Sequence, residues 1–242
     1  MITKELLNPK SIVVVGGSND LHKPGGKVIK NLIDTRYPGK LYAVNPKADS
    51  VQDLPCFHTV EEVPGAEVAI LAIPAAYCLQ AVETLCSTKG TKGIIIFSAG
   101  FSEESPEGAA LEKKIRTVAD QYNATLIGPN CVGYMNEHYA GVFTSPIPHF
   151  VPDSIDLISG SGATALFIID AAVQLGIPFA NVFSVGNSAQ TGMEEVLEYM
   201  DQSYVHGKSA PVKLIYAESI KNPLKLWKHA ASLYRKGARI AA

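Results

Sequence analysis

The sequence predicts an α/β protein built on two parallel sheets. Three observations carry that reading. Apolar runs of strand length alternate with helical periods along the whole chain. The runs are apolar throughout, as in strands covered by helices on both faces. The alternation breaks once, at a proline-bearing stretch, and then restarts.

In order, the first half offers strands in "SIVVVGG", "KLYAVNP", "VAILAIP", "GIIIFSAG" and "ATLIGPN". Helices are expected between them at Gly26 to Asp34, Tyr77 to Ser87 and Pro106 to Tyr122. "NEHYAGVFTSPIPHFVPDS", Asn136 to Ser154, carries three prolines and reads as a connector with room for a short hairpin. Strands then return in "IDLIS", "NVFSVG", "VKLIYAES" and "ARIAA", with helices from Gly162 to Leu175, Met193 to Asp201 and Pro223 to Lys236. The expectation is about five strands in a Rossmann-like unit over 1–140 and about four in a smaller, flavodoxin-like unit over 150–242.

The chain has 242 residues, 47% hydrophobic and 18% charged, with a formal net charge of -2. That suits a core-burying globular protein. No block of like charge points to nucleic acid or to an acidic membrane surface. The apolar runs fall short of the roughly 20 residues that span a bilayer, and "MITKELLNPK" lacks a secretory signal's apolar region. Cys56, Cys78, Cys86 and Cys131 show no CxxC pairing, so they read as reduced thiols, with neither disulfide nor metal site. A cytoplasmic location is expected.

The paired glycines Gly16 and Gly17 follow the first strand. Such a turn brings backbone N–H groups towards a phosphate, or merely packs strand against helix. The GxGxxG fingerprint of NAD enzymes is not met. The next strand ends "AVNPK", with neutral Asn45 and basic Lys47 where those enzymes place an acid on the ribose. A cation there suits a nucleotide with extra phosphate on its ribose; NADP and coenzyme A (CoA) both qualify.

"SNDLHKPGGKVIKNL", "LYAVNPK", "ILAIPA", "IIIFSAGFSE" and "IGPNCVG" follow one another in an order that resembles the CoA-binding domain of ADP-forming acyl-CoA synthetases, relatives of the succinyl-CoA synthetase α subunit. "LISGSGA", "FSVGNSAQTG" and "LIYAESI" resemble the succinyl-CoA-ligase-like domain that follows it. The resemblance implies CoA over the carboxyl ends of the first sheet. Gly17, Ser18 and Asn19 would lie under its phosphates and Lys47 at its adenosine-phosphate end. Pro74, Ser98, Ala99 and Gly100 would border the pantetheine, and Asn130 would be the polar contact near the thiol. Cys131 is read as packing, since no base neighbours it in sequence.

"SGSGA" opens a helix after a strand, so Ser161, Gly162 and Ala163 can offer N–H groups to an anion; the resemblance implies the transferred phosphate. An N-cap by Ser161 is compatible with that. Gln190 stands where many relatives carry aspartate. Glu218 matches the glutamate that holds the family's phosphate-accepting histidine.

None of His22, His58, His138, His149, His206 and His229 sits in the loop expected for that histidine, and His206 and His229 read as surface residues. The chain therefore reads as part of a longer enzyme. The remainder would supply the histidine and an ATP-grasp partner, fused or separate, with ATP or ADP and Mg. Acyl-CoA or carboxylate is the expected small-molecule partner, and a homo-oligomer is possible. The alternatives are a non-catalytic CoA- or nucleotide-binding regulatory module and an NAD(P)-dependent dehydrogenase or redox sensor.

Overall fold

The computed structural model describes residues 2–242, which form two sheets. Lys4–Leu7 (α1) leads into Ser11–Val15 (β1), Pro24–Asp34 (α2) and Lys40–Val44 (β2). Ser50–Val51 (β3) and Leu54–Phe57 (β4) form a tight hairpin, and a 3-10 turn follows at Val60–Glu62. Then come Val68–Leu71 (β5), Ala75–Thr88 (α3), Gly93–Ile96 (β6), Pro106–Gln121 (α4) and Thr125–Ile127 (β7).

The first sheet runs β3-β4-β2-β1-β5-β6-β7, and every pairing except β3 with β4 is parallel. Without β3 this is the Rossmann order 3-2-1-4-5-6, which reverses direction between β1 and β5. The five expected strands are all present. The strands β3 and β4, two and four residues long, are not expected from the sequence because they are too short to show as apolar runs.

Strand burial explains the uniform hydrophobicity. Ile12 and Val14 of β1 pack with Val28, Ile29 and Leu32 of α2. Val13 and Val15 face the other way, into the cluster with Val82 and Leu85 of α3 and Ile115 of α4. Alternate side chains enter opposite layers, and both layers are dry.

The second sheet begins earlier than the sequence suggests. Gly133–Asn136 (β8) and Ala140–Val142 (β9) form an antiparallel hairpin, and β8 pairs with β11. By strand pairing this hairpin belongs to the second sheet, although the sequence reading keeps it in the first unit up to residue 140. Ile155–Ser159 (β10), Gly162–Gln174 (α5), Asn181–Ser184 (β11), Met193–Ser203 (α6), Val212–Tyr216 (β12), Pro223–Arg235 (α7) and Arg239–Ala241 (β13) complete the chain. The order is β13-β12-β10-β11-β8-β9, six strands where four are expected. Its parallel part is flavodoxin-like, with the reversal between β10 and β12.

One core joins the two sheets. Ile12 and Val14 share a continuous apolar cluster with Tyr134, Ile158, Phe183 and Leu197. The Tyr139 hydroxyl donates to the Leu6 carbonyl at 2.7 Å, and the Asn136 side-chain amide donates to the Leu7 carbonyl at 2.9 Å. These bonds clamp α1 onto the β8–β9 turn.

Candidate active site

Both sheets bring loops together at the strand ends where their order reverses, the usual ligand crevice of open α/β sheets. In the first sheet Gly16 sits at φ +88, and a Cβ there would lie 2.4 Å from the Ala72 carbonyl. Glycine thus lets the loop after β1 meet the loop after β5. The N–H groups of Gly16 and Gly17 both donate to the Val44 carbonyl, at 2.9 and 3.1 Å. Gly17 is buried against Ile29 and Ala43, so it serves packing and has no donor left for a phosphate.

Asn19 is exposed but engaged. Its amide donates to the Ser50 carbonyl, and its Oδ1 accepts from the Gln52 N–H at 2.7 Å. Ser18 accepts from the Asp20 N–H through Oγ, and its carbonyl accepts from Gln52. Lys47 stands exposed in the turn after β2. Its N–H is fixed by Asn45 Oδ1 at 2.9 Å, while the Asn45 amide holds the Gly17 carbonyl at 2.7 Å. No acceptor for the Lys47 ammonium lies among the described residues.

A cavity of about 330 Å³ opens beside this loop. Val15, Val44 and Ile73 form its floor at the strand ends, and His58, Tyr77 and Gln80 line its rim. Tyr77 is 64% exposed, a large aromatic ring left facing water. The sequence reading passed over all three rim residues. The signal available was Tyr77 itself, an aromatic residue in the first turn of a helix that follows a strand.

Pro74 precedes α3. The Ser98 hydroxyl donates to the Ile73 carbonyl, tying the loops after β5 and β6 together. Ala99 is exposed, and Gly100 adopts φ +103. This row leads from the first cavity to a second, of about 530 Å³, between the two sheets.

The second cavity collects residues from both units. Phe97, Glu103 and Asn130 come from the first; Phe143, Gly160–Ala163, Leu166, Asn187 and Glu218 come from the second. The N–H of Gly160 is taken by the Tyr216 carbonyl, and that of Ser161 by Ser159 Oγ at 3.2 Å. Ser161 caps α5 by accepting from the Thr164 N–H. Among the described residues, the N–H groups of Gly162 and Ala163 have no protein acceptor. They are the first-turn donors that every helix leaves unpaired, and here they line a cavity. Phe143 of the connector forms one wall without covering them.

Glu218 lies two residues beyond β12, exposed on the cavity rim, and does not end the strand as the sequence suggests. Its backbone nitrogen is 3.5 Å from where a Cβ on Gly160 would stand. The reversal in strand order therefore sets Glu218 beside the start of α5.

A polar clasp closes the cavity's end. Asn187 donates to Glu103, and also to Ser102 Oγ at 3.3 Å and Glu112 Oε2 at 3.1 Å. Asn130 Nδ2 reaches Asn187 Oδ1 at 3.4 Å. Lys221 Nζ donates to the Asn187 and Ser188 carbonyls, both at 2.8 Å. Burial would raise the Glu103 carboxyl, but hydrogen bonds from Asn187 and from the Gly100 and Phe101 N–H groups hold it below the usual carboxylate range.

Cys131 packs, as its sequence surroundings suggest. Its thiol is buried, donates to the Ile96 carbonyl, and burial pushes it up to about 12. Gln190 bridges the units: its Oε1 accepts from the Leu126 N–H at 2.7 Å, and its amide donates to Asp120. His229 corrects the expectation of a surface residue. It is buried on α7 with Nδ1 at 2.8 Å from Asp201 Oδ2. Among the described residues no helix is long and apolar enough to cross a membrane.

Two family models match the chain, and the first runs through β8. Residues 10–137 match the CoA binding domain family, and residues 152–242 match the succinyl-CoA ligase like flavodoxin domain. The chain is 34% identical to acetate–CoA ligase [ADP-forming] I of Archaeoglobus fulgidus, over 96% of this chain and 33% of that protein. It is also 34% identical to the acetate–CoA ligase [ADP-forming] II subunit alpha of Pyrococcus furiosus, over 97% of this chain and 50% of that one. The dinucleotide forming acetyl-coenzyme A synthetase 1 of Ca. Korarchaeum cryptofilum, solved with phosphate and ADP, superposes with a TM-score of 0.86 at 27% identity, over 98% of this chain and 50% of that chain. The chain thus spans a third to a half of these relatives. With a Rossmann-ordered sheet, a flavodoxin-ordered sheet and a cavity between them, it belongs to the CoA binding domain family and carries the succinyl-CoA ligase like domain behind it.

Proposed function

We propose that this chain is the CoA-handling part of an ADP-forming acyl-CoA synthetase, which interconverts acyl-CoA, ADP and phosphate with carboxylate, CoA and ATP. The carrying observation is the cavity between the sheets. It joins free N–H donors at the start of α5 with Asn130, at the end of the row of loops that leads from the first crevice. CoA is a substrate here. Its adenosine end would lie by Val44 and Tyr77, with Lys47 near the ribose phosphate. Its pantetheine would pass Pro74 and Ser98–Gly100, and its thioester would reach Asn130.

Phosphate held by the Gly162 and Ala163 N–H groups would attack the thioester carbonyl. The C–S bond breaks, CoA leaves as its thiolate and is protonated, and an acyl phosphate remains. Two N–H donors and the helix dipole offset the anion's charge. Glu218 stands where its carboxylate can accept from one ring N–H of a neutral imidazole, leaving the other ring nitrogen free to take the phosphoryl group as the acyl carboxylate leaves, and its charge would offset the positive charge that the phosphorylated ring acquires. The histidine, the ATP-grasp part and the Mg-nucleotide belong, on this proposal, to the rest of the protein or to a partner subunit. A cytoplasmic location and a homo-oligomeric assembly are part of the same reading.

Calorimetry with CoA, NAD and NADP tests the ligand. CoA should bind most tightly; tighter binding of NAD would overturn the reading. Crystals grown in phosphate should show the anion at Gly162 and Ala163. CoA binding without any anion there would leave a CoA-binding module and remove the phosphoryl-transfer role.

A further inference from the structure

The cavity between the sheets has two unlike walls. One is polar: Asn130, Asn187, Glu218 and the start of α5. The other is apolar: Phe97, Val132, Phe143 and Leu166. Phe97 and Phe143 meet edge to face, with ring centroids 4.8 Å apart and planes at 66°. Phe97 and Val132 are buried at 7% and 6% exposure, whereas Phe143 and Leu166 are half-buried and present apolar surface to the cavity. No lysine, arginine or histidine lines it among the described residues, and its two charged residues, Glu103 and Glu218, are both acids.

Phosphate and thioester need the polar wall, so the apolar wall is left for the rest of the acyl group. We infer that Phe143, with Leu166 and Val132, forms the acyl subsite and selects uncharged, apolar acyl chains larger than acetyl. The inference rests on the CoA reading above. A second carboxylate lying along the apolar wall would be desolvated against aromatic carbon and would face two acids, with no cation among the lining residues to pair it. Phe143 sets the depth. It follows β9 directly, and the carbonyls on either side of it, of Val142 and Thr144, accept from the buried Asn31 amide at 2.7 and 2.9 Å. Its backbone is therefore fixed on both sides, and the ring's position is a property of the fold.

The test is a calorimetric series on the chain with CoA, acetyl-CoA, 3-methylbutyryl-CoA, phenylacetyl-CoA and succinyl-CoA, each expressed as a ratio to CoA in the same protein. The 3-methylbutyryl thioester should exceed CoA by at least about ten-fold, the low end of what one methylene is worth in an apolar pocket, and succinyl-CoA should bind more weakly than CoA. Phe143→Ala should collapse the 3-methylbutyryl ratio and raise the phenylacetyl ratio over it; Phe143→Leu should keep most of the preference. A variant that only loosened the CoA site would move both affinities and leave the ratio. CoA bound with equal ratios across the wild-type series would overturn the inference alone, as would unchanged ratios in Phe143→Ala. No binding of CoA itself would remove the underlying reading, and the inference with it.

Discussion

Lys47 and Asn45 lie two residues apart and do different work. Asn45 is spent inside the protein, holding the Gly17 carbonyl and the Lys47 N–H. The Lys47 ammonium is presented to solvent at the end of β2. If it meets the ribose phosphate of CoA, Lys47→Ala should weaken CoA by about 1–3 kcal/mol, the worth of a charge-assisted hydrogen bond. The loss for 3′-dephospho-CoA should be much smaller. Equal losses, measured by titration of both ligands, would place Lys47 on another group. This residue was legible because a basic side chain at a strand end has no packing reason to be there. Gly17 and Asn19 were less so. A glycine pair after a strand fits a phosphate turn and a packing turn equally well, and only the Val44 carbonyl decides between them. His229 was illegible for a related reason: its partner Asp201 lies 28 residues earlier on another helix, and the distance along the chain hides the pair.

At the scale of elements, the long strands and helices were read to within four residues at either end, since their periodicity is set by burial on two faces. The hairpin β3–β4 was not, and β8–β9 was anticipated only as room for a short hairpin in the Asn136–Ser154 connector. Residues 133–136 and 140–142 are buried throughout, but each run is too short for a period to show. Helices α6 and α7 carry another feature that only the fold reveals. Lys225 pairs with Glu195 and Glu198 at 2.9 and 2.7 Å, and Asp201 accepts from Lys236 and contacts His229. Burial would raise the Asp201 carboxyl, but the hydrogen bonds from Lys236 and His229 hold it below its ordinary value; Glu195 is lowered likewise against burial by Lys225. Both carboxyls are harder to protonate folded than unfolded. Their contribution is therefore complete above the unfolded values near about 4 and drains as pH falls through them to the folded values. Urea midpoints measured between about pH 6 and pH 3 should fall with pH. Asp201→Asn should be less stable at pH 6 and show a shallower fall. A variant whose midpoints parallel the wild type across the range would show that Asp201 takes no part.

Across the whole molecule, two parallel α/β units followed from alternation, but their strand orders and their joint did not. The cavity depends on that joint, because the unpaired N–H donors of Gly162 and Ala163 come from the second unit and Asn130 from the loop that ends the first. The junction is held by a common core, by a tyrosine cluster in which Tyr134 and Tyr139 stand 5.5 Å apart, and by side-chain amides including those of Asn136 and Gln190. Another such amide is Asn31, on the face of α2 turned to the second sheet. It donates to the carbonyls of Val142 and Thr144 at the outer strand of that sheet. Removing it strands a buried acceptor, and the loss should be about 1–3 kcal/mol, the cost of an unsatisfied buried carbonyl. Because one apolar cluster spans both sheets, Asn31→Ala should still unfold in a single transition, with far-UV and near-UV circular dichroism coincident. The near-UV signal reports packed aromatic side chains, the junction's tyrosines among them, and the far-UV signal reports both sheets. Separate midpoints for the two, in the wild type or the variant, would show units that unfold independently and a cavity walled by parts that come and go. A stability loss below about 0.5 kcal/mol, within the range of ordinary surface substitutions, would show that the Val142 and Thr144 carbonyls find other donors and that Phe143 is fixed by something else.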